Sequence, residues 1–150
     1  MKILFVIIIS SIVFLHTFIA SAQRSPAVFI KVDVIYASNE RAFIDKKISR
    51  IVNDLKSLFA YSNYELIDIH SLETKYHQTG QIPLPNASKL QIVPLAEQAG
   101  YILLNVLVNR SNGYIMNTNF RIINGGTILV GGPRYKKGVL VFAITVETMR

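Results

Sequence analysis

Apolar and polar residues alternate through residues 28–36, with Val28, Ile30, Val32, Val34 and Tyr36 on one face and Lys31 and Asp33 on the other. A period of two marks a strand with a buried face. The period then changes. Ile44, Ile48, Ile51, Val52, Leu55, Leu58 and Phe59 recur at helical spacing, with Lys46, Lys47, Arg50, Asn53 and Lys56 between them. Ser38 and Asn39 offer capping oxygens ahead of this stretch, and Glu40 sets a negative charge near its start, where a helix is positive. The pattern predicts one long amphipathic helix over residues 39–60.

Beyond it the period of two returns. Residues 64–72 read as a strand, apolar at Leu66, Ile67 and Ile69. Residues 73–87 read as a polar connection or short hairpin carrying Gly80, Pro83, Pro85 and Asn86, all residues that favour turns. Residues 90–95 form a short strand whose Pro94 suits an edge or an early end. Ile102, Leu104, Val106 and Val108 share a face of a strand over 101–109, and Asn112-Gly113 follows as a hairpin turn. Residues 114–123 alternate again, and Asn124-Gly125-Gly126 makes a second turn. Residues 127–130 are a strand, 131–138 a loop and 139–146 the last strand. A strand, a helix and then a run of hairpin-linked strands predict an α+β domain. Its mainly antiparallel sheet would have about six to seven strands, with the one long amphipathic helix packed on one face.

The start of the chain follows neither period. Met1 and Lys2 precede a stretch from Ile3 to Ala20 without Asp, Glu, Lys or Arg, and Ala20-Ser21-Ala22 closes it. A basic start, an apolar run and Ala-x-Ala form a secretory signal peptide, which sets the boundaries at residues 1–22 for the signal and 23–150 for a single domain. The mature chain would begin at Gln23 and would be periplasmic or secreted. It has no cysteine, so packing alone must hold it where many exported domains of this size use disulfides. Without Lys2, 15 basic residues face 9 acidic ones, a charge of +6. For an exported protein this favours an anionic envelope surface over nucleic acid.

Enzyme chemistry finds few supports. His70 and His77 are the only histidines after the leader, and neither lies in a metal-binding spacing. No Gly-x-Ser-x-Gly elbow and no Ser-x-x-Lys is present. The glycines at 125–126 and 131–132 precede strands, whereas a phosphate loop needs a helix after it. Asp68 and His70 share a face of a strand and, with Glu73, are the one candidate acid–base group. The expectation is a protein that is no enzyme, with no cofactor and no metal site. Arg134, Tyr135, Lys136 and Lys137 put three cations and an aromatic ring on one turn between Gly132 and Gly138, the candidate contact for phosphate or carboxylate groups.

The run Phe120-Arg121-Ile122-Ile123-Asn124-Gly125-Gly126-Thr127-Ile128-Leu129-Val130-Gly131-Gly132-Pro133, followed by Val139-Leu140-Val141-Phe142-Ala143-Ile144, resembles the hairpin of outer-membrane secretins. There a strand leads into Gly-x-Thr-apolar-Gly-Gly and a later apolar strand follows. The leader, the segment Ile82-Pro83-Leu84-Pro85-Asn86 and the glycine-framed final hairpin resemble small secreted envelope proteins of Gram-negative bacteria that have no known activity. The resemblance implies an envelope protein that pairs strands with itself or with a partner, and it assigns no functional residue. The leading expectation is therefore a binding or assembly module of the cell envelope that pairs through a sheet edge. The alternatives are a small wall-modifying hydrolase using Asp68, His70 and Glu73, or a carrier of an apolar ligand held under Ile44, Ile51 and Leu55.

Overall fold

The computed structural model describes residues 26–149, so the leader and the expected start at Gln23 lie outside the described residues. The chain runs through β1 (Val28–Ser38), β2 (Phe43–Ile44), a 3-10 turn (Lys46–Ile51) continuing into α1 (Val52–Leu58), β3 (Asn63–Thr74) and β4 (Gly80–Pro83). Then follow β5 (Lys89–Gln98), β6 (Tyr101–Arg110), β7 (Gly113–Ile123), β8 (Thr127–Tyr135) and β9 (Gly138–Thr148). These strands form two sheets, one in the order β2-β3-β1-β9-β8 and the other in the order β4-β5-β6-β7. Every pairing is antiparallel except the short β2–β3 contact.

The expected single sheet under one long helix is not what the chain forms. Strand accounts for 65% of the described residues and helix for 13%, in one segment of 13 residues and a 3-10 turn at Pro85–Ala87. The reason lies in how many apolar faces need cover. Val32 and Val34 of β1 and Phe142 and Ile144 of β9 face one way, and Leu104 and Val106 of β6 close over them in a shared core. A lone helix is too narrow to cover so many strands; a second sheet does it, and the result is a sandwich. On their other faces β1 and β9 also carry apolar residues, Ile35, Ala37, Val141 and Ala143. Near-continuous apolar runs of this kind belong to strands buried on both sides.

The helical segment covers that second face. Ile48, Ile51 and Leu55 are buried against Ile35, Tyr64 and Val141, as their spacing predicts. The segment starts late because Phe43 and Ile44 pair with Asn63 and Tyr64 of β3. The Asp45 side chain then accepts the Lys47 amide at 2.9 Å and caps the first turn. It stops at Phe59, whose φ/ψ is extended, and Leu58 points to solvent. Four β-branched residues (Ile44, Ile48, Ile51, Val52) weaken the intrinsic helix preference that the periodicity alone suggests.

Three further boundaries move. Residues 73–87 include β4, and β5 runs on through Pro94, where its register with β6 shifts between Pro94 and Ala96. β4 pairs no further than Ile92, so the missing proline N–H falls where that neighbour has ended. The expected loop over 131–138 is strand as far as Tyr135, with a register shift between Gly131 and Arg134 and only Lys136 and Lys137 left in the turn. Among the described residues no helix is long and apolar enough to cross a membrane.

Candidate functional site

Asp68 and His70 do share a face, and His70 Nε2 lies 2.9 Å from Asp68 Oδ2. Both belong to the face of β3 that looks toward the second sheet, opposite Val34 and Val32 of β1. Glu73 pairs with Phe29 and stands on the other face; a separation of three along a strand reverses the side. The trio is not assembled. Among the described residues no group of three or more His, Asp or Glu side chains could hold a metal ion. The layer beneath Ile51 and Leu55, expected to hold an apolar ligand if the protein is a carrier, is filled by Ile35, Tyr64, Val141 and Ala143.

The Tyr64 hydroxyl ties that layer together, donating to the Phe59 carbonyl at 2.5 Å and lying 3.2 Å from the Leu55 carbonyl. Burial pushes its pKa above the ordinary tyrosine value, because the ionised form would lose its hydration.

The basic turn is more constrained than its sequence suggests. Gly138 is fixed there by packing, since a Cβ would come within 2.0 Å of the Ala37 carbonyl oxygen. Tyr135 is half-buried against the inter-sheet core and meets Tyr36 edge-on, with ring centroids 5.6 Å apart. The Lys136 ammonium lies 5.2 Å from the Tyr135 ring centre and 5.6 Å from that of Tyr36. Tyr36 donates to Glu40 Oε2 at 2.7 Å, and Lys137 Nζ is 3.3 Å from Glu40 Oε1. The Tyr36 hydrogen bond first, and Lys137 after it, hold the Glu40 carboxyl below its ordinary value. Lys137 is thus offset by an acid, which leaves Arg134 and Lys136 as the outward charge. Asn86 donates to the Arg134 carbonyl at 3.2 Å, and its neighbour Ala87 shares a shallow depression with Lys89, Arg110 and Ser111. Lys89 and Arg110 therefore belong to the same basic end of the sandwich, a grouping that sequence separation conceals.

The free strand edges differ sharply. β2 has two residues and β4 has four, ending in Pro83. β8 carries a register shift and Pro133. The part of β3 beyond its contact with β2 bears Glu65, Asp68, His70 and Glu73. Short length, bulges, proline and charge are the usual guards of an edge. β7 has 11 residues, no proline and one charge, Arg121, and its register with β6 shifts only near the hairpin tip, between Val108 and Asn109. Sequence reasoning missed it because sheet order decides which strand is an edge.

Which backbone groups β7 leaves open follows from its pairing. Ala99 and Gly100 both have positive φ, as a two-residue type I′ hairpin requires, and they make Gln98 and Tyr101 a hydrogen-bonded pair of β5 and β6. Bonding direction alternates along β6, so its even-numbered residues bond to β7. The Asn124 amide, donating to the Gly100 carbonyl at 2.8 Å, carries the same alternation past the strand end. Ile122, Phe120, Thr118 and Met116 are the β7 partners of those residues. The N–H and C=O groups of Asn117, Asn119 and Arg121 consequently point to the open side. Their side chains are held off that edge: Asn105 Nδ2 donates to both Asn117 Oδ1 and Asn119 Oδ1 at 2.8 Å, and the Arg121 guanidinium lies 4.1 Å from the Tyr101 ring centre. Exposed large apolar residues gather on the same hairpin, with Tyr101 and Leu103 on β6 and Tyr114, Ile115 and Ile123 on β7.

The stretch that resembles a secretin hairpin spans β7, β8 and β9 and so crosses from one sheet to the other. Comparison of the chain with protein-family models, with curated proteins and with solved structures finds no match, and its function has to be argued from its own geometry.

Proposed function

We propose that this protein is a non-enzymatic binding or assembly module of the cell envelope, exported to the periplasm or beyond, that acts by pairing β7 with a strand of an envelope partner. The observation that carries this reading is the edge of β7, the least guarded among the described residues, with the backbone groups of Asn117, Asn119 and Arg121 open along it. Main-chain pairing supplies affinity at such an edge, and alternate side chains supply selectivity. The basic end, through Arg134 and Lys136 with Lys137 beside them, adds attraction to an anionic envelope surface; Tyr135 packs against the inter-sheet core, and the exposed Lys137 is partly offset by Glu40.

The test places a guard on the edge. Asn119→Lys adds a charge beside the open backbone and leaves the pairing with β6 in place. The full chain, produced in its own host, is extracted from the envelope and sized by sedimentation. The parent should migrate in a complex larger than one chain, and the Asn119→Lys protein should migrate at the mass of one chain with an unchanged unfolding midpoint. Identical sedimentation of the two would refute pairing at β7.

A further inference from the structure

We propose, resting on the edge-pairing reading above, that the strand received by β7 is the β7 of a second copy of this chain, paired antiparallel about a two-fold axis at Thr118. Three features of the strand select that axis. Thr118 is the midpoint of Gly113–Ile123, so pairing there gives the longest overlap, interrupted only at the Ile115 bulge, and any other centre shortens it. On the face turned toward the core, Met116 then lies opposite Phe120 of the second copy. Both are half-buried against the inter-sheet core, and each covers what the other leaves exposed. On the outer face Asn117 lies opposite Asn119 of the second copy, and these are the residues whose N–H and C=O groups point outward.

Charge decides between registers in a molecule as basic as this one. Arg121 is the only charge on β7. Centred at Thr118, the two arginines stand six residues apart along the strands, about 20 Å at the usual rise of ~3.3 Å per residue. That exceeds the screening length of ~8 Å at physiological ionic strength. Centring at Phe120 would bring them within two residues, and centring at Arg121 would set them face to face. The self-paired strand therefore has one register with the longest overlap, Met116 set against Phe120 and separated charges. A C2 interface of this kind is isologous, each residue facing its mate's counterpart about the axis, and it joins two four-stranded sheets into one of eight.

The absence of cysteine makes the register directly measurable. Thr118 turns its backbone groups toward β6, so at the free edge it occupies a non-hydrogen-bonded position, where opposed side chains come closest. Thr118 is exposed, so Thr118→Cys should fold as the parent does, and it would carry the only thiol. Under mild oxidation it should form a disulfide-linked dimer about tenfold faster than Asn117→Cys or Asn119→Cys, whose own counterparts lie diagonally at ~7–8 Å. Sedimentation equilibrium of the purified parent should show a concentration-dependent dimer, abolished by Asn119→Lys. A parent that stays monomeric at every concentration, with Thr118→Cys cross-linking no faster than the controls, overturns self-pairing. If Asn119→Lys still releases the protein from its envelope complex in that case, edge pairing survives and the second copy is replaced by another chain. If the parent dimerises but a different single-cysteine variant cross-links fastest, the axis at Thr118 is wrong.

Discussion

Replacing Leu55 by Ala probes whether the short helical segment is a structural layer or an ornament on the sandwich. Leu55 is fully buried and packs with Ile35, Ile48, Tyr64 and Val141. The substitution removes three carbons from an apolar site, about 2.4 kcal/mol at ~0.8 kcal/mol per buried carbon. A cavity term is added to the extent that the helix cannot settle onto β1 and β9, and measured Leu→Ala changes in cores run from about 2.7 to 5 kcal/mol. The segment is only 13 residues long and can move inward, so about 3 kcal/mol is expected. With a urea slope of roughly 1.5–2 kcal/mol/M, the unfolding midpoint should fall by about 1.5–2 M at constant slope. Leu58→Ala is the matched control, one helical turn away with the same change of side chain. Leu58 is 64% exposed, and its substitution should change stability by no more than about 0.5 kcal/mol. Lys56→Ala should behave like Leu58→Ala. Equal midpoints for the Leu55 and Leu58 variants would mean that the segment does not pack as described.

Two other expectations concern ionisation and charge. The chain has seven tyrosines and no tryptophan, so phenolate absorbance reports on tyrosine alone. Tyr64 has its pKa raised by burial, so its stabilising contribution is complete below the unfolded value of about 10 and is lost as pH rises through the folded value. Tyr64→Phe should remove a component that titrates above that value, and loss of a component at or below it would contradict the burial of the hydroxyl. At the basic end, the parent protein should bind vesicles containing anionic phospholipid in a salt-sensitive way. Replacing Arg134, Lys136 and Lys137 together by Ser should remove most of that binding while Tyr135 keeps the fold; unchanged, salt-insensitive binding, or no binding by the parent, would return the turn to a structural role.

The strand positions were legible because alternation is local. Val28, Ile30, Val32 and Val34, and Ile102, Leu104, Val106 and Val108, are buried as their spacing predicts. The second sheet was not: the apolar residues on both faces of residues 139–146 mark a strand covered on both sides, but which element covers each face is not a local property. Periodicity cannot report that Phe43 and Ile44 will be drawn into β3, because that contact joins the segment to a strand beyond the helix itself. The loop expected at 131–138 failed for a related reason: Gly132 sits over the Phe142 ring, where a Cβ would come within 2.6 Å. Glycine there serves close packing within a strand and makes no turn. The split between Asp68 and Glu73 follows from strand parity and could have been read directly. The open edge could not, since nothing local to residues 113–123 says which strand lies beside them.

Amide hydrogen exchange along β7 tests the central claim most directly. Thr118 and Phe120 bond inward to β6, and Asn117, Asn119 and Arg121 point outward, so the same strand carries its own control. In the dilute single chain, the outward amides should exchange rapidly while those of Thr118 and Phe120 are protected. In the assembled protein the outward three should become protected as well. Outward amides that stay fast in the assembled state would show that β7 receives no strand, and the account of this protein as an edge-pairing module would fail.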